Sequence, residues 1–178
     1  LYAGGGCNSP ESAAGIASLL SVIEMPVVTS LMGIGCVPAD SANFLGMVGM
    51  HGSLAANRAM HDADVVIAAG VRFDDRATGV IRRFCPDAKI IHIDIDAAEV
   101  NKILSARCAI IADTESALPV IAEAIAEMRG ITESCRIDRS KWLDGLRKDR
   151  DAALEDFRMN AKRAEDASGL AHPTRFIE

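Results

Sequence analysis

The sequence predicts an α/β domain built on an open parallel sheet. Three observations carry this. Apolar strand runs alternate with helical segments along most of the chain. Those runs lack the polar alternation of a sheet with one wet face, so both faces are covered. One strand runs directly into Gly70-Val71-Arg72-Phe73-Asp74-Asp75-Arg76, a polar, glycine-led segment of the kind expected where strand ends open on a ligand crevice.

Residues 1–3 read as a first strand ending in Gly4-Gly5-Gly6. Ser9 then offers an N-cap with Pro10 at the first helical position, and a helix is expected to about residue 24. A second strand follows over 26–29. Residues 30–53 read as one long irregular loop rich in Gly and Met, too apolar for disorder and suited to folding over a ligand. A helix over 54–62 leads to the third strand, 64–69. After the 70–76 segment come a short helix over 78–84, a strand over 89–94, a helical turn or two over 97–102, and a fifth strand over 108–112. An amphipathic helix is expected from 115 to about 129.

The composition changes after Gly130. Residues 138–166 are charge-dense, with Trp142, Leu146, Leu154 and Phe157 at loosely helical intervals, which reads as a solvated helix with a narrow contact stripe. Residues 169–174 read as a linker. The expected organisation is one domain over 1–130 and a charged helical linker over 131–178. The chain opens without a methionine in what looks like a strand, so an excised domain is expected, with targeting not judgeable.

The 178 residues are 49% hydrophobic, enough for a sizeable core. A net charge of −6 lacks the basic footprint of a duplex binder, and one Trp and one Tyr provide no stacking platform for single strands. No apolar run reaches a membrane span of roughly 20 residues. Five cysteines (Cys7, Cys36, Cys85, Cys108, Cys135) are scattered without a C-x-x-C pair, which favours reduced thiols over a zinc site.

The ligand crevice is expected between residues 45 and 76. Glycines there allow close backbone approach, Met47, Met50 and His51 offer soft or planar surfaces, and Arg72 or Arg76 can pair with phosphate. The same loop also has an ordinary reading, with His51 a hydrogen-bonded histidine and the methionines in the core. Gly4-Gly5-Gly6 lacks the third glycine of the G-x-G-x-x-G fingerprint and reads either as a phosphate or ribose contact or as a plain turn. His92, Asp94 and Asp96 alternate with isoleucines, so one strand would put them on one face. Asp94 is favoured as a ribose acceptor and Asp96 as a cap, with paired-carboxylate acid–base chemistry the rival. Asp113 is an N-cap, an adenosine contact, or both. Asp74 and Asp75 read as salt-bridge partners of Arg72 or Arg76 rather than as a metal pair. No G-x-S-x-G elbow exists for a serine nucleophile.

Several segments together resemble the central domain of the acetohydroxyacid synthase (acetolactate synthase) large catalytic subunits. They are Tyr2-Ala3-Gly4-Gly5-Gly6, Pro26 to Gly35, Leu45-Gly46-Met47-Val48-Gly49-Met50-His51-Gly52, Gly70 to Arg76, and His92-Ile93-Asp94-Ile95-Asp96. The resemblance covers about residues 1–130. It implies a three-layer α/β/α Rossmann-like fold of the DHS type, with a six-stranded parallel sheet and bound FAD. Carried over by position, it implies cofactor contacts at Gly5, Ser30 and Leu31, and at Val48, Gly49, Met50 and His51 along the flavin. It further implies Gly70, Val71, Arg72, Phe73 and Asp74 at the pyrophosphate and ribityl region, and Asp94, Ile95, Asp113 and Thr114 around the adenosine.

No catalytic or metal residue is implied in this chain. In that family thiamine diphosphate and Mg2+, held by other domains, decarboxylate pyruvate and join the two-carbon unit to a second 2-keto acid in branched-chain amino acid biosynthesis. FAD takes no net redox part. The resemblance therefore implies an inactive fragment whose partners are the other domains of the subunit, further copies of it and a small regulatory subunit, with no nucleic acid and no membrane. A cytoplasmic or, in a eukaryote, organellar setting goes with it. Two rival readings are an NAD-dependent sirtuin-like deacylase using His51 and a non-catalytic nucleotide-binding interaction domain.

Overall fold

The computed structural model describes residues 1–131, 138–169 and 171. Six strands form one sheet: β1 Tyr2–Ala3, β2 Val27–Thr29, β3 Phe44–Met47, β4 Val65–Ala69, β5 Lys89–Asp94 and β6 Cys108–Ile111. All pairings are parallel and the spatial order is β3-β2-β1-β4-β5-β6. That is the Rossmann order, and the direction of winding reverses between β1 and β4. The helices are α1 Pro10–Val22, α2 Leu54–Asp62, α3 Asp75–Thr78, α4 Thr114–Ile131 and α5 Ser140–Ser168.

Strand periodicity divides the core in two. Val28, Val66, Ala68 and Ile90 point to a cluster shared with α2, Leu146 of α5 and the aromatic rings of Tyr2, Phe73 and Phe84. Val27, Ile67, Ala69 and Ile93 point the other way, to Ile16 and Leu19 of α1 and Leu118 and Ala122 of α4. The sheet is covered on both faces, which gives the three-layer α/β/α arrangement. Local signals set the helix starts: the Ser9 side chain accepts from the Ser12 amide at 3.0 Å with Pro10 at the first position, and Ser53 accepts from Ala56 at 3.0 Å.

Three elements differ from the sequence reading. Residues 30–53 are not one loop, because β3 lies inside them. It is four residues at the sheet margin, of which only Leu45 is fully buried, interrupted by Gly46 at φ +102° with a register shift against β2, so no apolar run announces it. The helix expected over 78–84 instead begins at Asp75. Asp74 Oδ1 accepts from the Ala77 amide at 3.0 Å, Gly79 at φ +56° ends the helix, and a 3-10 turn spans Ile81–Arg83. Residues 97–102 make successive turns, Glu99 N–H to Asp96 O (3.1 Å) and Val100 N–H to Ala97 O (3.3 Å), rather than a helix.

The charge-dense segment forms α5 as expected, but its contact stripe divides. Leu143 and Leu146 are buried and the helix packs on α2 and β3, whereas Leu154 and Phe157 are exposed. Two arginines fasten α5 to the β3 margin. Arg150 Nη1 donates to the carbonyls of Ser41 (3.2 Å) and Phe44 (3.0 Å), and Arg147 donates to Ala42 O (3.1 Å) and pairs with Glu24 at 2.8 Å. Guanidinium donors thus occupy carbonyls along an edge that would otherwise be a template for another strand. Cys135 and, apart from Gly169 and Ala171, the linker read over 169–174 lie outside the described residues.

Candidate functional site

The winding reversal leaves a crevice of about 490 Å³ beyond the carboxyl ends of β1, β4 and β5. Two glycine turns make its floor. Gly6 N–H donates to Gly70 O at 3.2 Å, and Gly4 N–H to Ala69 O at 2.9 Å. A Cβ on Gly6 would lie 2.8 Å from Gly70 Cα, and one on Gly4 would lie 2.1 Å from Gly70 O. Gly4 and Gly6 therefore serve the close approach of two turns, while Gly5 faces the crevice.

After β4 the chain alternates. Val71 and Phe73 are buried in the core, Val71 at the crevice margin, and exposed Arg72 and Asp74 line the crevice. Phe73 does this at φ +52°, an unusual conformation for a bulky residue. Its surroundings impose it: the ring packs at 5.9 Å from Tyr2, 6.3 Å from Phe84 and 5.1 Å from His92. Tyr2 itself reaches the crevice wall. Burial, and secondarily the Asp74 carboxylate, pushes its phenol above the ordinary value.

The expected ion pairs between Asp74 or Asp75 and Arg72 or Arg76 do not form. Among the described residues neither arginine meets a carboxylate at salt-bridge distance. Asp74 is used instead as the N-cap of α3, which leaves the Arg72 guanidinium free at the crevice. The lining also carries the acidic residues Asp94, Asp96, Glu99 and Asp113. Asp94 is buried at the end of β5 and accepts the Asp96 amide at 2.9 Å. Asp96 lies beyond the strand, so the alternation from His92 stops at Asp94. Its carboxylate caps the following turn through the Ala98 amide, 2.9 Å, as the capping reading expects. Asp113 accepts from the Glu115 amide at 3.2 Å at the start of α4 while facing the crevice. Thr114 Oγ1 donates to Gly6 O at 2.6 Å and contacts Ser12 Oγ at 2.8 Å, joining α1, α4 and the first glycine turn.

Of the positions expected from sequence, Gly5, Ser30, Gly70, Val71, Arg72, Asp74, Asp94, Ile95, Asp113 and Thr114 line this crevice. Leu31 stands beside it, exposed on a 3-10 turn over Leu31–Gly33. The side chains of Val48 and Phe73 belong to the core. Gly49, Met50 and His51 form a flanking loop outside the crevice lining. Asn57 clamps it by accepting from Gly49 N–H (2.9 Å) and donating to Gly49 O (3.0 Å), and Met50 N–H reaches Arg76 O at 3.3 Å. Met50 and His51 are exposed there. Sequence reasoning missed Tyr2, Met32 and Glu99, all crevice-lining. Tyr2 had a signal, a polar-tipped aromatic at a strand end. Glu99 had none, because it sits on turns that read as a helix.

Among the described residues no three His, Cys, Asp or Glu side chains gather as a metal site. The four described cysteines are free thiols, with Cys7, Cys36 and Cys85 buried and Cys108 exposed.

Residues 1–121 match a family model described as the thiamine pyrophosphate enzyme, central domain. The chain is 42% identical over 131 residues to the acetolactate synthase large subunit of Buchnera aphidicola subsp. Schizaphis graminum, which is 74% of this chain and 23% of that protein. It is 42% identical over 125 residues to the acetolactate synthase isozyme 2 large subunit of Escherichia coli K12, covering 70% and 23%. It is 43% identical over 146 residues to the probable acetolactate synthase large subunit of Methanocaldococcus jannaschii, covering 82% and 24%. The chain thus spans about a quarter of the length of the curated relatives it matches.

Proposed function

This chain belongs to the family of thiamine pyrophosphate enzyme central domains, and on that premise we propose that it is the FAD-holding central domain of an acetolactate synthase large subunit. The observation that carries the FAD reading is the Arg72 guanidinium, without a carboxylate partner among the described residues, lining together with buried Asp94 a glycine-floored crevice at the winding reversal. A dinucleotide asks for those features: a cation for its diphosphate, an acceptor for ribose hydroxyls and a floor without side chains. Met32 and Ile95, both exposed and apolar, offer surfaces for a flat ring system.

In this reading Arg72 binds the diphosphate and Asp94 and Asp113 accept from adenosine hydroxyls. Ser30 and the Gly5 backbone contact the remainder, and the loop at Gly49, Met50 and His51 extends the site towards the flavin. FAD supplies no net redox step here and is held as a structural group. Thiamine diphosphate and Mg2+ belong to the rest of the parent enzyme, which condenses pyruvate with a second 2-keto acid. The domain limit near residue 130, further copies of the subunit, a small regulatory subunit and a cytoplasmic or organellar setting are part of the same proposal. Among the described residues no helix is long and apolar enough to cross a membrane.

A titration and an activity assay test this. The chain is titrated with FAD, ADP and NAD by calorimetry and flavin fluorescence; FAD should bind more tightly than NAD, and the reverse order would defeat the FAD assignment. The parent protein, assayed with pyruvate, thiamine diphosphate and Mg2+, should form acetolactate, while this chain alone should not.

A further inference from the structure

Behind the crevice lies a buried polar side chain that the FAD reading leaves unused. His92 sits on β5 opposite Ala68 of β4 and has no solvent exposure. Its Nε2 lies 2.8 Å from the Val71 carbonyl oxygen. A carbonyl only accepts, so Nε2 carries the proton. Nδ1 is buried and has no hydrogen-bond partner among the described residues. An imidazole with one nitrogen orphaned is a costly core filler, since an apolar side chain would leave nothing unsatisfied on itself. What the imidazole supplies is the bond from Nε2. The accepting carbonyl belongs to the Val71–Arg72 peptide, from which the Arg72 side chain departs. The same ring packs edge-on against Phe73, whose positive φ returns the chain to the core. One side chain thus braces the residues on both sides of Arg72.

We propose that His92 is a positioning residue for the crevice: by fixing the Val71–Arg72 peptide it sets the direction in which the Arg72 guanidinium faces the ligand. The proposal rests on the reading of the crevice as a FAD site with Arg72 at the diphosphate.

Three variants separate this from mere core filling. His92→Phe keeps ring bulk without a donor, His92→Gln carries an amide N–H about as far out as Nε2, and His92→Asn carries one that falls short. Amide hydrogen exchange over residues 70–76 is measured on the ligand-free chain, and FAD and ADP titrations follow at a temperature where circular dichroism shows each variant folded. In His92→Phe and His92→Asn, exchange of the Gly70 amide, which donates to Ile93 O at 2.8 Å, should rise about tenfold relative to β4 and β5, and both ligands should bind about tenfold more weakly. His92→Gln should restore both to within about threefold of the original. Unchanged exchange in His92→Phe, a rise shared equally by the strands, or identical behaviour of Gln and Asn would overturn the proposal. If the unaltered chain binds neither FAD nor ADP, the ligand reading fails, and the exchange measurement still decides the role of His92.

Discussion

Gly6 and Gly70 meet backbone to backbone at the winding reversal, joined by a hydrogen bond of 3.2 Å, and a Cβ on Gly70 would lie 2.6 Å from Gly6 Cα. Gly70 also stands at φ +59°, where an L side chain is strained. Gly70→Ala therefore combines a left-handed penalty with a clash that only backbone movement relieves. It is expected to cost about 2–4 kcal/mol in urea unfolding and to abolish nucleotide binding. Gly35→Ala is the control, because Gly35 has φ +101° but open space around it and should lose only the backbone part.

Helical glycines should divide by neighbourhood. Gly15 of α1 faces Leu118 of α4, where an added Cβ would sit 2.9 Å from Leu118 Cβ, so Gly15→Ala should destabilise by forcing the two helices apart. Gly145 of α5 has nothing within 4 Å, so Gly145→Ala should stabilise by about 0.5–1 kcal/mol through helix propensity alone. Thermal or urea unfolding of the two variants measures both signs; destabilisation by Gly145→Ala would contradict the placement of α5.

Tyr2 is the one tyrosine of the chain, so phenolate absorbance reports it alone. Burial and Asp74 raise its value on folding. The stability this contributes is present below the ordinary phenol value of 10.0 and disappears as pH climbs through the higher folded one. The absorbance should accordingly rise only above pH 10.0, together with loss of structure. A reversible titration centred at 10.0 in the folded chain would place Tyr2 in solvent.

The thiols should separate by burial. Burial pushes Cys7 up to about 12 and Cys85 to about 11 and also raises Cys36, whereas Cys108 is exposed. Thiolate is the reactive form. Alkylation near neutral pH, followed by peptide mass spectrometry, should therefore modify Cys108 while sparing Cys7, Cys36 and Cys85 until urea unfolds the chain. Early modification of Cys7 would show that the first glycine turn opens.

The sequence declared what is regular and local. Ser9-Pro10 marked the start of α1, and the apolar runs of β2, β4 and β5 announced themselves without tertiary help. β3 did not, because four residues that include a positive-φ glycine and bury only Leu45 take their strand form from β2 and from the α5 arginines, which lie far off in sequence. At the site, Asp94, Asp113 and the 70–74 segment were legible as polar residues just after strands. The pairing of Arg72 was not: adjacent opposite charges suggested a salt bridge, but Asp74 is consumed by a helix cap. The role of His92 depends on the 70–74 segment folding back over it, and strand spacing carries no record of that.

The central claim, that this crevice holds FAD through Arg72, is tested most directly by titrating the chain and its Arg72→Ala variant with FAD. The variant should still fold, since Arg72 is exposed and makes no ion pair among the described residues. Loss of a charge-assisted contact to the diphosphate should weaken FAD about tenfold or more. Saturable FAD binding with equal affinity in both proteins would contradict the account.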